Sequence, residues 1–288
     1  MNGFYNVIKP IGKSSSDLVI KIRGILRRTT GQKIKVGHLG TLDPQATGVL
    51  GVAVGSATKL FDHFLTKRKT YIATCVLGKQ TDTLDAVGKV TAECTVPIIE
   101  DDVIRETLQS FLGEIDQIPP KFSAKSIDGV RAYRLAMKGV EPELKPCKVT
   151  IYDIILEDRP QNDTFRFRVT CSGGTYIRSL CRDIGFKLGC YAYMGALERV
   201  QNGTMRIEDA VTLEDIEKDI LSGFTSLEQF SASLDRADFS EEMRVKVENG
   251  VKQTLPNEDG LVSVFIGGAF YGIGCVTDHV LKMVARDV

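Results

Sequence analysis

The chain has 288 residues, 43% hydrophobic and 26% charged, with 37 basic and 37 acidic side chains and so no net charge. This is an ordinary soluble globular composition, long enough for one large domain plus something smaller. No apolar run approaches the length of a membrane span, the N-terminal MNGFYNVIKP lacks a signal-peptide core, and a net charge of zero by itself argues against a nucleic-acid partner.

In chain order, GFYNVIKP reads as a short strand stopped by Pro10. IGKSSSD then starts a helix capped by Ser15 or Ser16, with Leu18, Ile22, Ile25 and Leu26 at helical spacing. Lys21, Arg23, Arg27 and Arg28 fall mostly off that stripe, on a surface that could meet phosphates. GVLGVAVG (48–55) is a continuous apolar run and reads as a buried strand; SATKLFDHFL follows as a helix capped by Ser56. TYIATCVL (70–77) is a strand, TDTLDAVG (81–88) a turn-rich loop, and DDVIRETLQSFL (101–112) an amphipathic helix. IPPKFSAKSIDG is extended and broken by its prolines, VRAYRLAMKG is a helix ended by Gly139, and CKVTIYDIIL and TFRFRVTC are strands. GGTYIRSLCRDIGFKLG is a turn and a helix, and TLEDIEKDIL (212–221) a further helix. Strands and helices mix without a regular βαβ rhythm, which predicts an α+β fold with a mainly antiparallel sheet. From about residue 235 short strands and turns take over, so a small β-rich domain is expected after a boundary near SASLDRADFS.

The charges are unevenly placed. Residues 1–70 hold 12 Lys or Arg against Asp17, Asp43 and Asp62, a local +9 that the rest of the chain cancels. Such asymmetry fits a polyanion-facing surface, and equally a basic face balanced by an acidic one. Seven cysteines without a CxxC, an odd count, read as reduced cytosolic thiols; His38, His63 and His279 are too scattered to suggest a metal site.

Few stretches carry chemistry. GVAVGSATK does not fit the G-x-x-x-x-G-K-[ST] of a phosphate loop, since Gly55 is followed by Ser56-Ala57-Thr58, and Asp82 and Asp85 sit where turn aspartates normally serve structure. The stretch GHLGTLDPQATGVL (37–50) is different. It holds a single acid, Asp43, before Pro44. Asp-Pro is a common turn starter, and from the dipeptide alone a structural role is the better reading. The context changes the balance: Pro44 favours extended backbone at Asp43, Gly37 and Gly40 permit close approach or positive φ, and a buried strand follows at once. A carboxylate so placed projects from a rigid base.

All fourteen residues of that stretch resemble the catalytic motif of the TruB family, the bacterial tRNA pseudouridine-55 synthases. Further family landmarks follow in order: VIKPIGKSSSD, KTYIATCVLG with Tyr71, TDTLDAVG, IPPKFSAKSIDGVRAY, SGGTYIRSLCRDIG with Tyr176 and Arg178, and YMGALERVQNG with Leu197. The resemblance covers roughly residues 3–230. It implies a catalytic domain over 1–230 and, over 235–288, a tail similar to PUA-type RNA-binding domains. One departure is Gly173, where many relatives carry Lys, which removes a possible phosphate contact.

The resemblance implies that a uridine of the tRNA T-loop is flipped into a pocket and isomerised to pseudouridine, with no cofactor and no metal. Asp43 resembles the essential aspartate, Arg178 the arginine that pairs with it, and Tyr71 the tyrosine that stacks on the base. Tyr176 and Leu197 would line the pocket, His38 would help hold the T-loop, and Lys9, before Pro10, would support the basic loop in RNA binding or equally stand as a solvated lysine. The implied partner is the tRNA T-arm, with no membrane, no obligatory protein partner and a monomeric, cytoplasmic chain. Two other classes fit the same residues: a tRNA-folding chaperone with little catalysis, and a guide-dependent synthase acting on ribosomal RNA.

Overall fold

The computed structural model describes residues 1–65, 67–123, 126–127, 130–131 and 144–287. The chain begins with β1 (Gly3–Lys9), α1 (Ser15–Thr30), β2 (Val36–His38) and β3 (Ala46–Val54), then a 3-10 turn over Gly55–Leu60 running into α2 (Phe61–Leu65). There follow β4 (Lys69–Leu77), β5 (Lys79–Thr81), β6 (Val90–Glu93), α3 (Asp101–Gln109), β7 (Gly113–Gln117) and a hairpin of β8 (Ser126–Ile127) and β9 (Val130–Arg131). Next come the long β10 (Cys147–Gln161), β11 (Thr164–Cys171), α4 (Ile177–Lys187) and β12 (Ala192–Asn202). The last part holds β13 (Met205–Arg206), α5 (Leu213–Lys218), β14 (Phe224–Ser226), α6 (Leu227–Ser231) and β15 (Asp235–Phe239). It ends with α7 (Arg244–Glu248), β16 (Gln253–Thr254), β17 (Gly260–Ile266), β18 (Ala269–Thr277) and β19 (Val280–Arg286).

The chain packs as two compact units. The first contains Met1–Pro44, Gly48–Leu65 and Met205–Val288; the second contains Gln45–Thr47 and Thr66–Thr204. In the first, β1 lies between β3 and β14, antiparallel to both, with Lys9 opposite Gly48 and Gly3 opposite both Val54 and Ser226. The apolar stripe of α1 closes one side of these strands: Leu18, Ile22, Ile25 and Leu26 share a core with Tyr5, Val7, Leu50 and Val52. A second core joins Phe4, Leu39, Ala53 and Phe64 to Ile273 and Ala285 of the C-terminal strands. The tail forms the five-stranded sheet β15-β17-β18-β19-β16, antiparallel except for the β15–β17 pair. It packs in one unit with the N-terminal strands.

In the second unit the strand order is β12-β4-β11-β10-β7, antiparallel throughout. The predicted α+β class with a mainly antiparallel sheet is the observed one. Helix α4 packs on β12 and β4. Gly185 permits this, because a Cβ there would lie 2.5 Å from the Cβ of Ala192.

Several helix ends differ from the sequence reading. The cap of α1 is Ser14, not Ser15 or Ser16: Ser14 accepts from the Asp17 N–H, and Asp17 accepts from the Ser14 N–H in a reciprocal capping box. Ser56 caps nothing; its hydroxyl donates to the Arg286 carbonyl at 2.6 Å, and Val54 precedes the 3-10 turn without a side-chain cap. Helix α3 stops at Gln109 and α5 at Lys218, each short of the predicted end. The helix expected over VRAYRLAMKG lies, beyond Val130–Arg131, outside the described residues. Among the described residues no helix is long and apolar enough to cross a membrane, and no group of three or more His, Cys, Asp or Glu is placed to hold a metal ion.

Candidate active site

The predicted site residues divide between the two units. Lys9, His38 and Asp43 belong to the first; Tyr71, Tyr176, Arg178 and Leu197 belong to the second.

The Asp43 loop is pinned on both sides. It leaves β2, where His38 stands opposite Val52, and Leu39 N–H donates to the Gly51 carbonyl at 2.8 Å. Gly51 admits this contact, since a Cβ there would lie 3.3 Å from Leu39 Cδ1. Gly40 takes φ 120°, a turn that a side chain would strain. Just before the carboxylate, Leu42 is held by one buried hydroxyl: its N–H donates to Ser15 Oγ at 2.9 Å, and Ser15 Oγ donates to its carbonyl at 3.1 Å. Just after it, the Pro44 carbonyl accepts from Gly12 N–H at 2.8 Å and from Lys9 Nζ at 3.3 Å. Asp43 itself is half-buried. A carboxylate whose two flanking peptides are fixed has its direction set before any ligand arrives.

Lys9 departs from the sequence expectation. Its residue is 0% exposed, and its ammonium also donates to the carbonyls of Pro10 (2.8 Å) and Lys13 (2.6 Å). A lysine so enclosed acts as a strut between the β1–α1 turn and the Asp43 loop, and is not available to touch RNA.

In the second unit Tyr71 and Leu197 share one face of the sheet. Tyr71 and Ala73 are two apart on β4, and Leu197 on β12 stands opposite Ala73. Both side chains are largely buried. Tyr176 is the residue before the first turn of α4, and the buried amide of Gln117 grips its backbone twice: Tyr176 N–H to Oε1 at 2.8 Å and Nε2 to the Tyr176 carbonyl at 3.1 Å. One half-turn on, Arg178 is only 6% exposed. Its Nη1 donates to the Thr83 carbonyl at 3.0 Å and its Nη2 to the Phe122 carbonyl at 2.9 Å.

Sequence reasoning overlooked what surrounds Arg178. Asp85, read as an ordinary turn aspartate, lies 3.9 Å from Arg178 Nη1 and is equally buried. Its other oxygen accepts from Thr83 Oγ1 (2.5 Å) and Val87 N–H (3.2 Å), while Thr81 Oγ1 donates to its carbonyl. The loop therefore closes on itself and presents both a carbonyl and a carboxylate to the guanidinium. The visible signal was the second aspartate of TDTLDAVG, but its partner lies more than ninety residues away in sequence.

The electrostatics of the first seventy residues are also sharper than a sum of charges. Of their twelve basic residues, Lys9 and Lys69 are buried and the other ten are exposed. Arg28 meets Glu217 at 3.3 Å, an exposed pair that salt would screen.

Residues 27–177 match the sequence profile described as TruB family pseudouridylate synthase (N terminal domain), and residues 178–236 match that of the tRNA pseudouridylate synthase B C-terminal domain. Among curated proteins, tRNA pseudouridine synthase B of Clostridium perfringens is 44% identical over 253 residues, which is 88% of this chain and 84% of the relative. The protein of the same name from Clostridium kluyveri is 40% identical over 296 residues, 99% of each chain. Among solved structures, a chain of a Cbf5-Nop10-Gar1 complex matches with a TM-score of 0.70 at 25% identity, over 99% of this chain and 83% of that one.

Proposed function

The chain belongs to the TruB family of pseudouridylate synthases, and from that membership we propose that it isomerises a uridine of tRNA, position 55 in the T-loop, to pseudouridine with Asp43 as the essential carboxylate. The observation that carries this reading is the identity with tRNA pseudouridine synthase B over nearly the whole chain. The doubly pinned Asp43 loop supports it.

The reaction is an isomerisation. The N1–C1′ bond of the nucleotide breaks, a C5–C1′ bond forms, C5 loses its proton, and N1 gains one. A fixed, ionised carboxylate at Asp43 attacks the sugar or stabilises positive charge developing there. The family resemblance assigns Arg178 as the cation that pairs with this carboxylate. The hydrogen bonds from Arg178 to Thr83 and Phe122 fix the aim of that guanidinium. Tyr71 stacks on the flipped base, Tyr176 and Leu197 line its pocket, and His38 holds the T-loop open. Lys9 serves the reaction through the loop it braces.

Flipping a base costs a few kcal/mol, and stacking on an aromatic ring returns about 1–3 kcal/mol per base. Phosphate contacts from the ten exposed basic residues of the first seventy supply the remainder. The tail sheet β15–β19 is read as a PUA-like module. With nine acids against six bases over 235–288, it leaves most of the electrostatic attraction to the N-terminal segment. The chain acts as a cytoplasmic monomer without a protein partner or cofactor.

The test is pseudouridine formation in an unmodified tRNA T-arm by the purified chain, wild type against Asp43→Asn. Product from wild type alone, over many turnovers, is the expected result. Binding without product from either protein would replace the enzyme with an RNA-folding module. Activity that appears only with added partner proteins would favour a guide-dependent synthase.

A further inference from the structure

The sheet face that carries Tyr71 and Leu197 also buries two cations. Lys69 lies two residues before Tyr71 on β4, so its side chain leaves the same side of the strand. Arg199 stands directly opposite Tyr71 on β12. Lys69 is 6% exposed and Arg199 is 1% exposed, the latter among the largest fully buried side chains. The Lys69 ammonium donates to the Lys67 carbonyl at 2.9 Å. Among the groups around it are Arg199 on β12, Cys171 opposite it on β11, Tyr71 two residues on along β4, and the uncharged Asn202 opposite it on β12. Burial, and then Arg199, push the Lys69 ammonium down to about 8, while Cys171 works the other way. Burial pushes the Cys171 thiol up to about 11, against Thr175 and Lys69, so it is neutral at pH 7.

Burying one cation beside another is unfavourable. Retaining both alongside a residue assigned to stack on the base is explained if positive potential is needed there. The proposed reaction supplies the need. When N1–C1′ breaks, its electron pair stays with the base, and the detached uracil is an anion until C5 joins C1′. Fixed charge that meets this anion stabilises it more than the neutral nucleotide that preceded it, which lowers the barrier. We propose that Lys69, together with Arg199, is a positioning pair whose charge stabilises the detached uracil anion held against Tyr71. This rests on the synthase reading above.

The experiment is single-turnover pseudouridine formation on a saturating tRNA T-arm from pH 6.5 to 9.5, with wild type, Lys69→Arg, Lys69→Met and Asp43→Asn; tRNA affinity and melting temperature are measured alongside. Lys69→Met slows the step about tenfold or more at pH 7 with affinity unchanged. The wild-type rate falls as pH rises through about 8, where Lys69 loses its proton, and Lys69→Arg removes that fall. A structural role alone would leave wild type and Lys69→Arg with the same pH profile, and that result overturns the proposal, as does a Lys69→Met variant as fast as wild type. Absence of product from wild type overturns the synthase reading and this inference together. Product lost only in Asp43→Asn, with all Lys69 variants at the wild-type rate, overturns this inference alone.

Discussion

Removing one buried hydroxyl should loosen the whole Asp43 loop. Ser15 Oγ makes two hydrogen bonds to the backbone of Leu42, at 2.9 and 3.1 Å, and both residues are buried. Ser15→Ala takes away both bonds and leaves the Leu42 N–H and carbonyl enclosed without that partner. Each such group costs about 1–3 kcal/mol, so about 2–6 kcal/mol of stability should be lost, where an exposed serine costs almost nothing. The functional effect is larger than the change in one peptide suggests. Leu42 precedes Asp43, and a displacement of about 1 Å at a reacting group costs about a hundredfold in rate. Urea unfolding and single-turnover pseudouridine formation read the two effects. The control is Ser16→Ala, one residue away and exposed. If Ser15→Ala and Ser16→Ala behave alike in both assays, the pinned-loop argument is wrong.

Other consequences are equally direct. Arg178→Lys keeps the charge but cannot span the carbonyls of Thr83 and Phe122 together, so the rate should fall by about a hundredfold while tRNA affinity, measured by filter binding, stays within a few-fold of wild type. Lys69 titrates near 8 when folded and near 10.5 when unfolded. Between those values the unfolded chain holds the extra proton, so this group makes stability rise with pH across that window; denaturation at stepped pH should show the rise in wild type and its loss in Lys69→Met. Affinity for tRNA should fall steeply with salt, and Arg27→Gln, on the exposed face of α1, should make the log–log slope about 0.9 shallower if Arg27 meets one phosphate. A slope unchanged by substitutions along α1 would remove that helix from the RNA surface.

What could be read from the sequence, and what could not, follows from the range of the interactions. The α1 stripe was visible because Leu18, Ile22, Ile25 and Leu26 repeat at the period of a helix, and all four are buried as that period requires. GVLGVAV announced a buried strand for a similar local reason. The choice among Ser14, Ser15 and Ser16 was closed to such reasoning. Three serines in a row offer the same local chemistry, and the outcome turns on Asp17 completing a box with Ser14 while Leu42, 27 residues away, engages Ser15. Lys9 failed for the same cause. A lysine before a proline looks solvated until the fold brings three carbonyls to its ammonium, one of them from Pro44. The tail shows the limit at larger scale: its short strands announce a separate β-rich segment, but no pattern within it tells that Ile273 and Ala285 complete the core beneath Phe4 and Leu39. Periodicity marks which face of an element is apolar, not what will cover it. Side-chain bonds to distant backbone leave no period at all, and Asp43 is held by bonds of that kind on both sides.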